Sequence, residues 1–192
     1  MSRGKTIVFI DNSNIFQGSR AAGWRIDARK LMELIGNRGD VWQTIFFASV
    51  TDPPRFQQTN FYRFIKETLH FETVILSVAR RNVRCPNCGA NRPTYVEKGV
   101  DVALATRLLS LANTRTFESA VLVSGDKDYL ETVRAVKSQG MRVEIYSWRG
   151  ALSPDLAGES SADIVYLDDH RAELQRVEPP DADAEQLLTT EQ

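Results

Sequence analysis

Short apolar runs alternate with amphipathic stretches along most of the chain. Six of these runs are rich in β-branched residues, which is typical of buried strands. They lie at residues 5–10, 42–50, 72–78, 119–123, 141–146 and 164–167. Helical periodicity and capping residues predict helices between them, at residues 14–20, 28–37, 55–69, 100–112 and 127–139.

This alternation predicts an α/β fold with a central, mainly parallel sheet of about five to six strands. We expect helices on both faces of the sheet, because the strand segments are apolar along their whole length. Residues 79–96 interrupt the pattern and are expected to form an irregular insert. In such sheets ligands bind beyond the carboxyl ends of the strands, near the point where the strand order reverses.

Charge is unevenly distributed along the 192 residues, whose formal net charge is −1. Residues 168–192 contain eight acids and two bases, or −6, which leaves +5 on residues 1–167. We therefore expect one domain at 1–168 and an acidic, partly disordered tail at 169–192. The mildly basic domain is compatible with a polyanionic partner. The tail would either aid solubility or compete with nucleic acid for the basic surface.

Composition excludes several classes of protein. The hydrophobic share of 42% and the charged share of 26% are those of an ordinary globular domain, not of collagen or a disordered chain. Every apolar run is far shorter than the ~18 residues of a membrane helix. The first residues become polar too early for a secretory signal. With only two cysteines, the fold does not depend on disulfides. We expect a cytoplasmic protein without membrane contact.

Acidic residues directly follow two of the predicted strands. Asp11 opens the polar run Asp11-Asn12-Ser13-Asn14, and Asp126 and Asp128 follow the strand at 119–123. Each acid could serve as a helix cap, because its carboxylate accepts hydrogen bonds from free backbone N–H groups. Capping explains single residues, but it does not explain four consecutive polar residues behind a buried strand.

A third acid, Asp101, lies at the start of a predicted apolar helix. On a helical wheel Thr106, Ser110 and Asn113 share one side, and Asp101 falls on the opposite, apolar side. A buried carboxylate is costly unless it is paired or binds a metal. We therefore expect Asp101 to be buried, either as a metal ligand or as a cap or ion-pair partner of Lys98.

These acids would converge if the first strand and the strand at 119–123 are neighbours. Carboxylates in one small cleft repel each other, and Mg²⁺ or Mn²⁺ with oxygen ligands relieves that repulsion. Such an ion can activate water and stabilise an in-line displacement at phosphorus. His70 and His170 lie outside these runs, which disfavours a histidine base or a histidine-rich zinc site.

Three motifs, in this order, resemble the NYN domain of the LabA-like group over roughly residues 5–168. They are Asp11-Asn12-Ser13-Asn14, Lys98-Gly99-Val100-Asp101 and Ser124-Gly125-Asp126-Lys127-Asp128-Tyr129. The resemblance implies a PIN-like, three-layer α/β/α fold and a metal-dependent ribonuclease or similar phosphodiesterase.

The same resemblance assigns roles to individual residues. It implies that Asp11, Asp101 and Asp126 bind the metal, and that Asp128 is a further ligand or holds metal-bound water. Residues that would complete the metal shell or position a phosphate oxygen are Asn12, Asn14, Ser124 and Lys98.

Two cysteines in the insert, Cys85 and Cys88, have the spacing of a zinc knuckle. A tetrahedral Zn²⁺ site needs four ligands, so the other two would come from His70, an acid or the second subunit of a homodimer. The alternative is a pair of reduced surface thiols or a zinc site that has been lost.

The insert is also basic, which suits a nucleic-acid partner. Its four arginines are predicted to contact the phosphates of RNA, namely Arg80, Arg81, Arg84 and Arg92. Tyr95, Phe56 and Tyr62 are candidates for stacking on bases, whereas Phe61 is more typical of a core residue. In the alternative the aromatic residues belong to the core and the arginines to a solvated loop.

We therefore predict a metal-dependent ribonuclease that hydrolyses phosphodiesters with Mg²⁺- or Mn²⁺-activated water at the aspartate cluster. One alternative is a non-catalytic RNA- or protein-binding regulatory module with a vestigial metal site. Another is a phosphohydrolase acting on small phosphate esters, although Ser13 in place of an acid disfavours an aspartyl-phosphate mechanism. Dinucleotide binding is excluded because no GxGxxG run follows a strand.

Overall fold

A six-stranded parallel sheet forms the centre of the molecule. The computed structural model describes residues 3–51, 53–84, 87–96 and 99–177, with the backbone alone at 79–83 and 92–96. The strands in the described part of the chain are β1 (Thr6–Asp11), β2 (Val41–Val50), β3 (Glu72–Ser77), β4 (Ala79–Arg84), β5 (Asn91–Val96), β6 (Ser119–Val123), β7 (Arg142–Ser147) and β8 (Val165–Tyr166). The main sheet has the order β3-β2-β1-β6-β7-β8, and all its neighbouring pairs are parallel.

Helices cover both faces of this sheet, as the sequence predicts. They are α1 (Asn12–Ala22), α2 (Ala28–Gly36), α3 (Phe56–Arg63), α4 (Val100–Asn113), α5 (Leu130–Ser138), α6 (Pro154–Ala157) and α7 (Arg171–Leu174). Buried residues of α2 and α7 pack in one core cluster, and those of α4, α5 and α6 pack in the other. The three-layer α/β/α fold is confirmed. Among the described residues, every helix is too short or too polar to traverse a lipid bilayer.

Alternate residues of each central strand supply the two core clusters. Ile7 and Phe9 of β1 join the cluster of α4 and α5, while Val8 and Ile10 join the opposite cluster. All four side chains are essentially inaccessible to solvent. A strand buried on both faces must be apolar at every position, which is why β1 has a continuous apolar run.

The prediction of an irregular insert at 79–96 is wrong. β4 and β5 form an antiparallel hairpin, in which Ala79 pairs with Val96 and Arg84 pairs with Asn91. Their sequences, ARRNVR and NRPTYV, contain few apolar residues. Neither segment therefore has the pattern of a strand that buries one face, and the hairpin has no clear signature in the sequence.

Two predicted helices are each divided in the structure. The one expected at 55–69 consists of α3 followed by a π-helical turn, Phe64–Thr68. The one expected at 127–139 starts as a 3₁₀ turn, Lys127–Tyr129, and continues as α5. The 3₁₀ turn ends at Tyr129, whose hydroxyl reaches Asp11 at the end of β1.

The folded unit continues past residue 168, where the sequence predicts the start of the tail. Leu174 of α7 is fully buried against the α2 face. Its carbonyl accepts a hydrogen bond of 2.9 Å from Asp27 N–H, and Arg176 N–H donates to Arg25 O over 2.8 Å. Residues 169–177 are thus tied to the domain, whereas the acidic stretch at 178–192 lies outside the described residues.

Candidate active site at the carboxyl ends of β1 and β6

The strand order reverses between β1 and β6, which are neighbours in the sheet. Ile10 of β1 pairs with Val123 of β6 at the ends of the two strands. From β1 the chain builds one half of the sheet through β2 and β3, and from β6 it builds the other half through β7 and β8. A crevice therefore opens at this point, where open α/β sheets bind their ligands.

Asp11 is the last residue of β1 and also the N-cap of α1. Its Oδ1 accepts hydrogen bonds from the backbone N–H groups of Ser13, at 3.0 Å, and Asn14, at 3.2 Å. Only 6% of the residue is exposed. The capping interpretation of Asp11 is therefore correct, but it uses only one of the two carboxylate oxygens.

The second oxygen of Asp11 faces two hydroxyl groups. Ser124 Oγ and Tyr129 OH each donate to Oδ2 over 3.2 Å. Four donors thus surround a carboxylate that has about four acceptor positions. Burial raises the pKa of Asp11 above its ordinary value, and the four hydrogen bonds partly oppose that rise because they stabilise the charged form.

The loop after β6 is built by hydrogen bonds from polar side chains. Asn14 Oδ1 accepts from Gly125 N–H at 3.2 Å, and Ser124 Oγ accepts from Asp126 N–H at 3.3 Å. Asp126 Oδ1 caps the 3₁₀ turn by accepting from Asp128 N–H at 3.0 Å. Asp126 is half-buried and Asp128 is exposed, so both retain oxygens that a ligand can reach.

Asp101 lies at the start of α4, which begins after Gly99 in the left-handed region at φ +83°. The prediction that Asp101 is buried is wrong, because the buried face of α4 consists of Val100, Leu104, Leu108 and Ala112. The side chain of Asp101 is exposed. A helical wheel gives the angle of a residue around the helix axis but not its position along that axis. The first turn of α4, which contains Asp101, lies at the edge of the sheet layer.

Tyr129 brings the three acids into one electrostatic neighbourhood. Its ring is 1% exposed, and its OH donates to Asp11. Burial and the negative charges of Asp11, Asp101 and Asp126 all raise the pKa of the Tyr129 hydroxyl. Sequence reasoning missed this role, and the only signal for it was the place of Tyr129 at the end of the third motif.

The chemistry of these donors fits a hard divalent cation, since Asp11, Asp101, Asp126 and Asp128 offer carboxylate oxygens. Their spacing does not yet form a complete site. Across residues 3–51, 53–84, 87–96 and 99–177, the structure contains no group of three His, Cys, Asp or Glu side chains arranged to hold a metal ion. The described side chains therefore supply suitable donors for a cation but not a closed set of ligands.

The other predicted site residues differ in how far they are buried. Asn12 and Asn14 are half-buried at the start of α1, and Ser124 is buried beside Asp11. Arg84 is exposed, and its Nε donates to Gly89 O over 3.3 Å. Cys88 is exposed. Predictions that fall outside the described residues or side chains concern Lys98, Cys85, Arg80, Arg81, Arg92 and Tyr95.

The aromatic candidates divide between the core and the surface. Tyr62 is buried and donates to Ser49 O at 2.7 Å, so it is not available for stacking on a base. Phe61 packs on Phe46 at a centroid distance of 6.0 Å. Phe56, in contrast, is 79% exposed at the first residue of α3.

Comparisons with known proteins agree with this architecture. The model of the NYN domain family matches residues 5–168. The chain is 20% identical over 178 residues to low amplitude and bright protein LabA of Synechococcus elongatus, covering 91% of this chain and 89% of that protein. It is 39% identical over 67 residues to the uncharacterized protein y4oD of Sinorhizobium fredii, covering 33% and 31% respectively.

A solved structure shows the same fold. The crystal structure of a protein of unknown function from Vibrio parahaemolyticus superposes with a TM-score of 0.67 at 16% identity. The match covers 91% of this chain and 97% of that one. At this level of identity the likeness concerns the fold alone.

Proposed function

Since the chain belongs to the NYN domain family, a PIN-like family of a nuclease superfamily, we propose that it is a divalent-metal-dependent ribonuclease. The observation that carries this proposal is the grouping of three acids around Tyr129. Asp11, Asp101 and Asp126 come from three different elements and all act on the same buried hydroxyl. Asp11 ends β1 and Asp126 follows β6, the two neighbouring strands between which the strand order reverses.

In this proposal Asp11, Asp101 and Asp126 hold Mg²⁺ or Mn²⁺, with Asp128 as a further ligand. A bound ion would activate water and offset negative charge on the phosphate in the transition state. Asp11 is fixed by α1, Ser124 and Tyr129, so it provides the rigid part of the site. Asp101 and Asp128 are exposed and provide the adaptable part.

Residues around the acids would position the substrate. Asn14 holds Gly125 N–H and so sets the distance between α1 and the β6 loop. Asn12, Ser124 and Lys98 are assigned to the metal shell or to a phosphate oxygen. The insert carries Arg80, Arg81, Arg84 and Arg92, which are proposed to bind the phosphates of the RNA strand.

We assign the protein to the cytoplasm.

A second function is favoured by a specific observation. All four acceptor positions of Asp11 already receive protein donors, and the described residues lack a complete metal-binding group. This arrangement suits a non-catalytic RNA- or protein-binding module, in which Asp11 is a structural cap and the acids are the remnant of a metal site.

One assay separates the two functions. Labelled single-stranded RNA, single-stranded DNA and hairpin RNA are incubated with the protein in Mg²⁺, Mn²⁺ or EDTA, and both binding and cleavage are measured. Metal-dependent cleavage of RNA is the expected result. RNA binding without turnover in either metal would instead identify the binding module. Loss of the cleavage in an Asp126→Asn variant excludes a contaminating nuclease.

A further inference from the structure

A cleft of about 770 Å³ opens beside the acid cluster, between α1 and the loops that follow β6 and β7. One wall is formed by Asn14, Gln17 and the small residues of α1, and the other by residues 125–127 and 150–153. Asn14 and Asp126 belong to both the cleft and the proposed active site. An occupant of the cleft would therefore lie next to the proposed active site.

The absence of a side chain at Gly18 lets α1 pack directly on Trp148, which is one of the residues at this cleft. Gly18 lies over Trp148, and a Cβ at that position would be 2.0 Å from the indole Cδ1 atom. Ala21 and Ala22 continue the small-residue surface along the next turn. Trp148 itself is 2% exposed, and its Nε1 donates to Ile15 O over 3.2 Å, which holds α1 at a fixed distance.

The opposite wall is fixed by backbone contacts. Ser153 N–H donates to Gly125 O at 2.9 Å, and a Cβ on Gly125 would lie 2.5 Å from Ala151 O. Arg149 N–H donates to Asp168 Oδ2 over 2.7 Å, which ties the β7 loop to the segment after β8. Because both walls are held by such contacts, the cleft is formed before a ligand arrives, which lowers the cost of binding.

The lining identifies the chemical class of the ligand. Small apolar residues supply the surface, because Trp148 is only 2% exposed, and the side chains of Asn14, Gln17 and Ser153 supply hydrogen-bond donors and acceptors. Lys127 adds a cation at the end that adjoins Asp126. A planar heterocycle with polar edges, joined to a phosphate, matches this combination.

We propose that this cleft binds the nucleoside attached to the phosphate held at the acid cluster, with Lys127 contacting that phosphate. The nature of the ligand rests on the proposed ribonuclease function. The cleft lies on the β6–β7 side of the acids, whereas the arginine-bearing hairpin follows β3 at the other half of the sheet. The cleft would therefore set which nucleotide is accepted, and the hairpin would hold the rest of the strand.

The test measures binding of adenosine 5′-monophosphate, and separately of inorganic phosphate, in EDTA. Ala21 is exposed on the cleft wall, so Ala21→Phe fills the cleft without disturbing the core. Arg20→Phe places the same ring on the neighbouring exposed position, which does not line the cleft. We expect Ala21→Phe to weaken nucleotide binding at least about tenfold, equivalent to about 1.4 kcal/mol, and Arg20→Phe to change it less than about threefold.

Three results would overturn the subsite. They are equal nucleotide affinity of Ala21→Phe and wild type, equal losses in both variants, or phosphate binding as tightly as the nucleotide. The assay contains no metal and involves no turnover, so it can succeed even if RNA is never cleaved. Conversely, RNA cleavage that Ala21→Phe leaves unaltered would reject the subsite while preserving the nuclease.

Discussion

The hydroxyl of Tyr129 donates to Asp11 Oδ2 over 3.2 Å, and both residues are buried at the end of the sheet. This contact joins the 3₁₀ turn after β6 to the last residue of β1. It gives the charged form of Asp11 a donor that does not compete with the α1 cap, which uses Oδ1. Tyr129 is thus a positioning residue for the proposed metal ligand.

Removing that hydroxyl should destabilise the protein in a pH-dependent way. Hydrogen bonds to charged groups contribute about 1.5–3 kcal/mol, so Tyr129→Phe is expected to lose about that much unfolding free energy at pH 7. The loss should shrink in acid, because protonated Asp11 needs the donor less. Urea unfolding at pH 7 and pH 4 measures the loss of unfolding free energy and its dependence on pH. Tyr62→Phe is the control, since Tyr62 donates to the neutral carbonyl of Ser49, and a pH-independent loss in Tyr129→Phe would contradict the assignment.

The raised pKa of Asp11 predicts a stability gain on neutralisation. Burial favours the protonated form in the folded state, so the native protein loses stability relative to the unfolded chain as pH rises through the folded-state pKa of Asp11. Asp11→Asn retains a cap oxygen and removes the buried charge, and its Nδ2 can donate to the hydroxyls of Ser124 and Tyr129, which then become acceptors. Its thermal midpoint should therefore exceed that of wild type by a few degrees at pH 7, where about 2–4 °C corresponds to 1 kcal/mol. This excess should diminish towards pH 4. An excess that grows in acid would contradict a raised pKa of Asp11.

Most of the frame around the site follows from sequence patterns. β1 is apolar from residue 7 to 10 and β6 from residue 120 to 123, because both faces of each strand are covered. Asp11 and Asp126 mark the points where these apolar runs end. Pairing of these strands brings the two acids together, as expected for neighbouring parallel strands. The sequence therefore indicates which strand ends carry the acids, and the pairing of β1 with β6, which the sequence leaves open, completes the crevice.

Features that depend on tertiary contacts were not accessible in this way. The exposure of Asp101 depends on how far α4 projects beyond the sheet, which a helical wheel does not describe. Tyr129 has the pattern of an ordinary core aromatic residue until the position of Asp11 is known. The contact of Gly18 with Trp148 joins two distant parts of the chain, and no local pattern indicates it. The β4–β5 hairpin lacks the apolar alternation by which strands are recognised.

Gly125 should tolerate no side chain. A Cβ there would lie 2.3 Å from Ser147 Oγ and 2.5 Å from the backbone oxygen of Ala151, so one of the two loops must shift. We expect Gly125→Ala to cost about 1–3 kcal/mol, as overpacking commonly does. Gly36→Ala is the matched control, because a Cβ on Gly36 would meet nothing within 4 Å and this residue ends the helix α2. Its expected effect is a gain of about 0.5–1 kcal/mol. Similar unfolding midpoints for the two variants would refute the packing argument.

A buried ion pair should hold the start of the chain independently of the active site. Arg3 Nε donates to Glu144 Oε1 over 2.9 Å, Arg3 Nη2 donates to Tyr146 OH over 2.9 Å, and Arg3 and Glu144 are both buried. Arg3→Ala leaves Glu144 unpaired and should cost about 3–5 kcal/mol. Arg134→Ala removes exposed pairs with Glu131 and Glu159 and should cost less than about 1 kcal/mol. Chemical denaturation compares the two, and equal losses would disprove the role of burial.

The acid cluster as a metal-dependent nuclease site is the central claim, and the initial rate of RNA cleavage in Mn²⁺ tests it most directly. Wild type, Asp101→Asn, Asp126→Asn and Asp40→Asn are purified in parallel, where Asp40 is an exposed acid just before β2, at the opposite edge of the sheet. Wild type and Asp40→Asn should cleave at the same rate. Asp101→Asn and Asp126→Asn should each be slower by at least about 10²-fold, the usual effect of removing a group that stabilises transition-state charge. Equal rates in all four proteins, or no Mn²⁺-dependent cleavage by wild type, would contradict the claim.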